Sequence, residues 1–156
     1  MATIAKSKAI YTRKLISSKV EEIKPENLVK ITSSKDSFNV AWSLWDLESI
    51  DITEDFNALF LDRANKVVGW AAISKGGCSA TVVDTKIIFS HALLCNAHAL
   101  IVFHNHPSGN TQPSTADIGI TQKIVAAGKV LDISVLDHII LEPNGTYYSF
   151  ADNGNI

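Results

Sequence analysis

The polarity pattern divides the chain into a polar start and a body of short apolar segments separated by turn residues. Phe38, Ala41, Trp42 and Trp45 recur at i, i+3, i+4 and i+7, the spacing of one helix face, which predicts a helix near residues 36 to 48 with Ser34 and Asp36 as candidate caps. That spacing assigns the tryptophans to the core rather than to a platform for stacking bases. Phe56 to Leu61 and Val67 to Ile73 are apolar runs around the turn residues Ala64, Asn65 and Lys66, a strand pair with Trp70 on a sheet face. Gly76 and Gly77 end this pair, and Thr81, Val82 and Val83 suggest a short further strand.

Asp84 is a candidate cap for a helix that turns Ile87, Ile88, Ala92 and Cys95 inward, and Ala99 to Phe103 reads as a short buried strand. A loop over residues 104 to 113 leads to a helix beginning at Ser114 and stopped by Gly128. Two more strands are predicted over Val130 to Val135 and Asp137 to Leu141, then a turn at Pro143, Asn144 and Gly145 and a last segment from Tyr147 to Phe150. Strands joined partly by hairpins and partly through helices predict an α/β (α+β) domain with a mixed sheet packed against helices.

Length limits the architecture to one core: 156 residues, 46% of them hydrophobic, exceed what a fragment needs and fall short of two ordinary domains. Residues 1 to 30 are set apart as a basic arm and linker, with Lys6, Lys8, Arg13, Lys14 and Lys19 preceding Glu21, Glu22, Pro25 and Glu26; the domain proper is placed at 31 to 156. No apolar run is long enough for a membrane span and no secretory signal is visible, so a cytoplasmic location is expected. The two cysteines, Cys78 and Cys95, are read as reduced core thiols. A net charge of -2 argues against a broadly cationic, phosphate-gripping surface.

Candidate chemistry concentrates after the apolar run at 99 to 103. In extended backbone His104 and His106 leave the same face and can converge on one ion. Ser114 follows, then Asp117, so a tight loop through Pro107, Ser108 and Gly109 can return the start of a helix to the histidines. Two imidazoles and one carboxylate leave a coordination position open, the arrangement of catalytic zinc. Each part alone has a plainer reading: Ser114 and Asp117 form a capping-box pattern, and the histidines could be hydrogen-bonded at a strand end.

This set resembles the JAMM metalloprotease motif, a glutamate upstream of His-x-His, seven residues, Ser, two residues and Asp. More narrowly, the run from His104 to Gly109, with Pro113, Ser114, Asp117, Thr121, Leu136, Asp137 and His138, resembles the C-terminal domain of the RadC family over residues 50 to 151. The resemblance implies a single MPN-type domain, a mixed sheet between helices related to the cytidine deaminases. It also implies zinc as cofactor, His104, His106 and Asp117 as metal ligands, and Glu54 as general base, with Asp55 the competing assignment. Ser114 would donate its hydroxyl to the developing oxyanion. Asp137 and His138 are read as structural hydrogen-bonding residues, and His91 and His98 as ordinary.

The function so implied is zinc-dependent hydrolysis of peptide or isopeptide bonds in a protein or peptide substrate. The alternative is a non-catalytic accessory of DNA repair or mobile-element DNA metabolism, with a structural or vacant metal site and a basic arm contacting nucleic acid; RadC members are traditionally labelled DNA repair proteins. The N-terminal helical extension typical of full RadC proteins is not seen, Ala71 and Ala72 stand where relatives often carry an acid, and Gly76-Gly77 replaces the usual Gly-Thr. A zinc deaminase would need a Pro-Cys-x-x-Cys ligand pair, which the chain lacks.

Overall fold

The strand-rich middle of the chain assembles into one sheet. A computed structural model describes residues 29–76 and 83–156; residues 1–28, which hold the basic side chains of the arm, and Gly77, Cys78, Thr81 and Val82 lie outside the described residues. The elements run α1 (Ser34–Leu44), β1 (Asp55–Leu61), β2 (Val67–Lys75), α2 (Thr85–Leu94), β3 (Ala99–Asn105), α3 (Thr115–Leu131), β4 (Ser134–Leu141) and β5 (Tyr147–Ser149). Strand order is β2-β1-β3-β4-β5, antiparallel throughout except for the β3–β4 pair, which is parallel because α3 carries the chain across. The expected mixed sheet between helices is therefore present.

Alternation of side chains sorts the core into two layers. Phe56, Ala58, Phe60, Leu100 and Val102 face α2 and α3, where Ile88, Phe89, Ala92 and Ile124 meet them. Leu59, Leu61, Ile101, Phe103, Ile139 and Leu141 face the other way, towards Phe38, Ala41 and Trp45. With both faces covered, every residue of β1 and of β3 is buried, which is why their sequences read as continuous apolar runs rather than alternating ones. Trp70 meets Trp45 edge-on at 6.0 Å and Phe103 at 5.6 Å, so the tryptophans at 45 and 70 belong to the core.

Several boundaries differ from the sequence expectation. The first helix begins earlier and ends at Leu44; its N-cap is Ser33, whose hydroxyl accepts from the Asp36 N–H, while Asp36 accepts from the Thr32 N–H and hydroxyl. Trp45 still reaches the core because the chain turns extended there.

Gly128 does not stop α3. The helix continues to Leu131 and ends on Asp132 in the left-handed region, φ 56°, so Val130 and Leu131 are helical and only Ser134–Leu141 forms the strand, unbroken. Gly128 is instead a point of close approach: a Cβ there would lie 2.5 Å from the Ile133 carbonyl. His104 and Asn105, assigned to a loop from sequence, extend β3. Val83, grouped with a strand, is irregular and packs against the core. Cys95 is a half-buried free thiol at the end of α2, and burial pushes its pKa up. Among the described residues no helix is long and apolar enough to cross a membrane.

Candidate metal centre

Three elements bring the site together where β3 ends. His104 belongs to β3 and His106 follows it, still held to β4 by its N–H on the Leu141 carbonyl at 3.0 Å. Their rings leave the same side, 4.7 Å apart between centroids. The chain then reverses through Pro107 and Ser108, with Gly109 at φ 73° and its N–H on the His106 carbonyl, a backbone that glycine adopts without strain. This turn and the loop after it deliver the N-terminus of α3 to the histidines.

At that N-terminus the capping box is fully formed. The Ser114 hydroxyl accepts from the Asp117 N–H at 3.1 Å, and the Asp117 carboxylate accepts from the Ser114 N–H at 2.7 Å. The plainer reading of these residues and the metal reading hold together: the box orients Asp117 so that Oδ1 lies 3.2 Å from His104 Nε2 and Oδ2 lies 3.5 Å from His106 Nε2. One ligating atom from each of the three residues lies within 4.8 Å of the others, a cluster that could hold a metal ion.

Electrostatics follow from this crowding. Burial pushes the Asp117 carboxyl up, but hydrogen bonds with His104 and His106 outweigh it and hold the group well below the usual carboxylate range. The Asp117 bond in turn raises the His106 pKa against the cost of burial, with the Asn110 carbonyl, Asp117 and the charge of Glu54 adding to the rise. His106 Nδ1 lies against that carbonyl. A carbonyl only accepts, so Nδ1 carries a proton and Nε2 is the atom left for a ligand.

Glu54 and Asp55 have different settings. Phe56 pairs with His104 across β1 and β3 and shares its face, so Asp55, its neighbour within the strand, belongs to the opposite face. Asp55 pairs with Lys75, and burial, partly offset by the Lys75 charge, raises its pKa. Glu54 stands just outside the strand, partly exposed, with its carbonyl accepting from the Gly76 N–H.

Two supporting residues, Asn105 and Thr121, entered the sequence reading only as part of the family resemblance and without a role, and a third proves closer to the site than expected. Asn105, between the two histidines, is fully buried; its amide donates to the carbonyls of Ile50 and Thr53 at 2.6 and 2.7 Å and accepts from the Asp55 N–H at 2.8 Å. It anchors the segment that carries Glu54. His138, read as a structural residue, does make hydrogen bonds, but one is to His104 itself, 2.7 Å between Nε2 and Nδ1. Thr121 lies beyond it, 2.6 Å from His138 Nδ1. Polar residues at 105, 121 and 138 within otherwise buried segments were the available signal, since buried polar groups need partners. Asp137 faces away and accepts from the Ser149 hydroxyl and the N–H groups of Ala151 and His138. Neither His91, whose ring stacks near Phe60 at 6.1 Å, nor His98, in the turn before β3, belongs to the cluster.

Residues 31–155 match the family described as RadC-like JAB domain. A UPF0758 protein of Flavobacterium johnsoniae is 46% identical over 81% of this chain and 54% of its own length. One from Pasteurella multocida is 40% identical over 80% of the chain and 56% of its length, and one from Pelobacter propionicus is 35% identical over 99% and 64%. The chain thus spans little more than half the length of these curated relatives.

Proposed function

The chain belongs to the RadC-like JAB domain family, and on that premise we propose that it is a zinc-dependent hydrolase of peptide or isopeptide bonds. The observation that carries this reading is the convergence of His104 Nε2, His106 Nε2 and the Asp117 carboxylate at the end of β3.

The donor set fits zinc. Two imidazole nitrogens and a carboxylate held anionic are borderline ligands of the type zinc takes, and three protein ligands leave room for a reactant. The two Nε2 atoms stand 2.9 Å apart; unless a proton lies between them their lone pairs oppose, and a cation relieves that repulsion. Bound there, zinc supplies Lewis acidity that activates water near neutral pH and polarises a carbonyl.

The remaining work falls to the chain's own groups. Glu54 accepts the proton of the attacking water and passes it to the leaving amine, as the resemblance implies, and its charge already influences His106. Ser114 accepts a hydrogen bond from Asp117 N–H, leaving its own hydroxyl proton free to donate to the oxyanion. Asn105 fixes the backbone on both sides of Glu54 through Thr53 and Asp55, which limits the distance the proton must cover.

Metal analysis of the native protein with anomalous scattering at the zinc edge, followed by turnover of pooled quenched peptides and lysine-linked isopeptides, tests the reading. His106→Ala is expected to lose stoichiometric zinc, and Glu54→Gln to keep zinc while losing at least about 100-fold in kcat. Full activity in Glu54→Gln would overturn the assignment of the base, and native protein without zinc would overturn the hydrolase.

A further inference from the structure

A histidine that ligates through Nε2 must carry its proton on Nδ1, and it keeps that tautomer only if something accepts from Nδ1. Common acceptors are carboxylates and backbone carbonyls, which cannot donate and so leave no ambiguity. His104 Nδ1 instead meets another imidazole, His138 Nε2, at 2.7 Å. An imidazole can either donate or accept there, so His138 by itself does not settle where the proton lies.

Thr121 settles it. Its hydroxyl oxygen is 2.6 Å from the Asp117 carbonyl, which can only accept, so the single hydroxyl proton is committed to Asp117. The same oxygen is 2.6 Å from His138 Nδ1 and must therefore accept there. His138 is then protonated on Nδ1 and bare on Nε2, and the bare Nε2 accepts from His104 Nδ1–H. The direction of every bond follows from the one carbonyl that starts the chain.

Rotation of His138 is blocked on both sides. The residue is fully buried, its ring stacks on Phe150 at 4.8 Å and 12° and lies 5.5 Å from Phe56, and its backbone pairs with Val102 within the sheet. The relay also closes on itself: it begins at the backbone of Asp117, whose side chain is the third ligand, and ends on His104. It thereby joins α3, β4 and β3 around the site.

We propose that Thr121 and His138 are positioning residues that hold His104 in the Nδ1–H tautomer and keep its Nε2 bare for the metal. The proposal rests on His104 being a metal ligand, as in the function proposed above, but its direct readout needs no metal and no substrate. In chelator-treated, 15N-histidine-labelled protein, two-bond proton–nitrogen correlation spectra report each ring's tautomer. His138 is expected as the Nδ1–H form, and His104 with a proton on Nδ1 whether or not Nε2, which faces Asp117, carries a second one while metal is absent.

Thr121→Val, nearly isosteric, removes both the donor to Asp117 and the acceptor for His138. It is expected to mix the tautomers of His104 and to weaken zinc, measured against a chromophoric chelator, by about 10- to 100-fold. Thr121→Ser keeps the relay and should restore both. A residue of merely structural value would lower the melting temperature of the metal-free protein while leaving the tautomer and the zinc affinity of the folded fraction unchanged. That outcome, or a wild-type His104 without a proton on Nδ1, overturns the proposal, and the wild-type spectrum decides even if Thr121→Val fails to fold. Wild-type protein with the expected tautomers but no zinc would instead sink the hydrolase reading and leave the relay standing.

Discussion

Asp117 and Asp137 are both buried carboxylates, 9% and 4% exposed, and both accept several hydrogen bonds, yet they are pushed in opposite directions. Burial raises both. For Asp117 the bonds with His104 and His106 outweigh it; for Asp137 the Ser149 hydroxyl and the N–H groups of Ala151 and His138 do not, and the charge of Asp152 adds to the rise. Both acids have donors enough, so their number does not account for the difference. Imidazoles can hold positive charge opposite a carboxylate, whereas hydroxyl and amide donors only polarise towards it. Asp117 therefore has the character of a ligand, and Asp137 that of a clasp tying β4 to the turn after β5.

The sharpest way to break this contrast is to truncate each acid. Asp117→Ala is expected to cost more than about 100-fold in zinc affinity, beyond what loss of an outer hydrogen-bond partner costs. Asp137→Ala should hold zinc within about threefold, because its one bond to His138 is to the backbone N–H, and the pairing of β4 with β3 and the packing of the ring on Phe150 still hold that residue in place. It should instead lose on the order of 3 kcal/mol of stability from three donors left without an acceptor, a fall of roughly 10 °C in Tm. Competition titration and calorimetry on the same preparations read both; equal loss of zinc in the two variants would erase the distinction.

Acid titration of the metal-free protein sharpens it further. Asp117, depressed in the fold, contributes stability that is complete above its unfolded value near ~3.9 and is lost as pH falls below it. Asp137, raised, has the opposite sign: its contribution is present below that unfolded value and is lost as pH rises through the folded one. Melting curves from pH 3 to 7 should therefore show a shallower acid limb in Asp117→Asn, and a steeper rise above about pH 4 in Asp137→Asn.

The smallest effect on the site is expected from Gly128→Ala, at the far end of the helix whose start carries Asp117. The new Cβ would meet the Ile133 carbonyl at 2.5 Å, so the backbone must shift, at a cost of about 1–3 kcal/mol. Zinc affinity should stay within about threefold. A larger change would mean that the contrast between the two acids is not local to their donors.

Much of the frame was legible because it depends on local patterning. The β1–β2 hairpin, the inward face of α1, the burial of Ile88 and Ala92 in α2 and the turn at Gly145 follow from period and turn chemistry, whereas Ile87, also expected inward, is 42% exposed. Gly128 was misread because a glycine that ends a helix and one that admits a neighbouring backbone look the same in sequence. The strand expected at Val130 failed for a related reason: short apolar runs suit either element, and helix α3 had another turn to complete.

The residue types and spacing around His104 and His106 singled out the three side chains now found clustered, since the distance along an extended segment and around one turn is set by covalent geometry. Which residues support them was decided only by folding. Asp55 turns away from His104 because its strand neighbour Phe56 pairs with His104, 48 positions further along the chain. His138 and Thr121 join the site because β4 lies parallel to β3 under α3. Strand register and helix placement come from packing both faces of the sheet at once, and that is a condition on the whole chain which no local stretch of it contains.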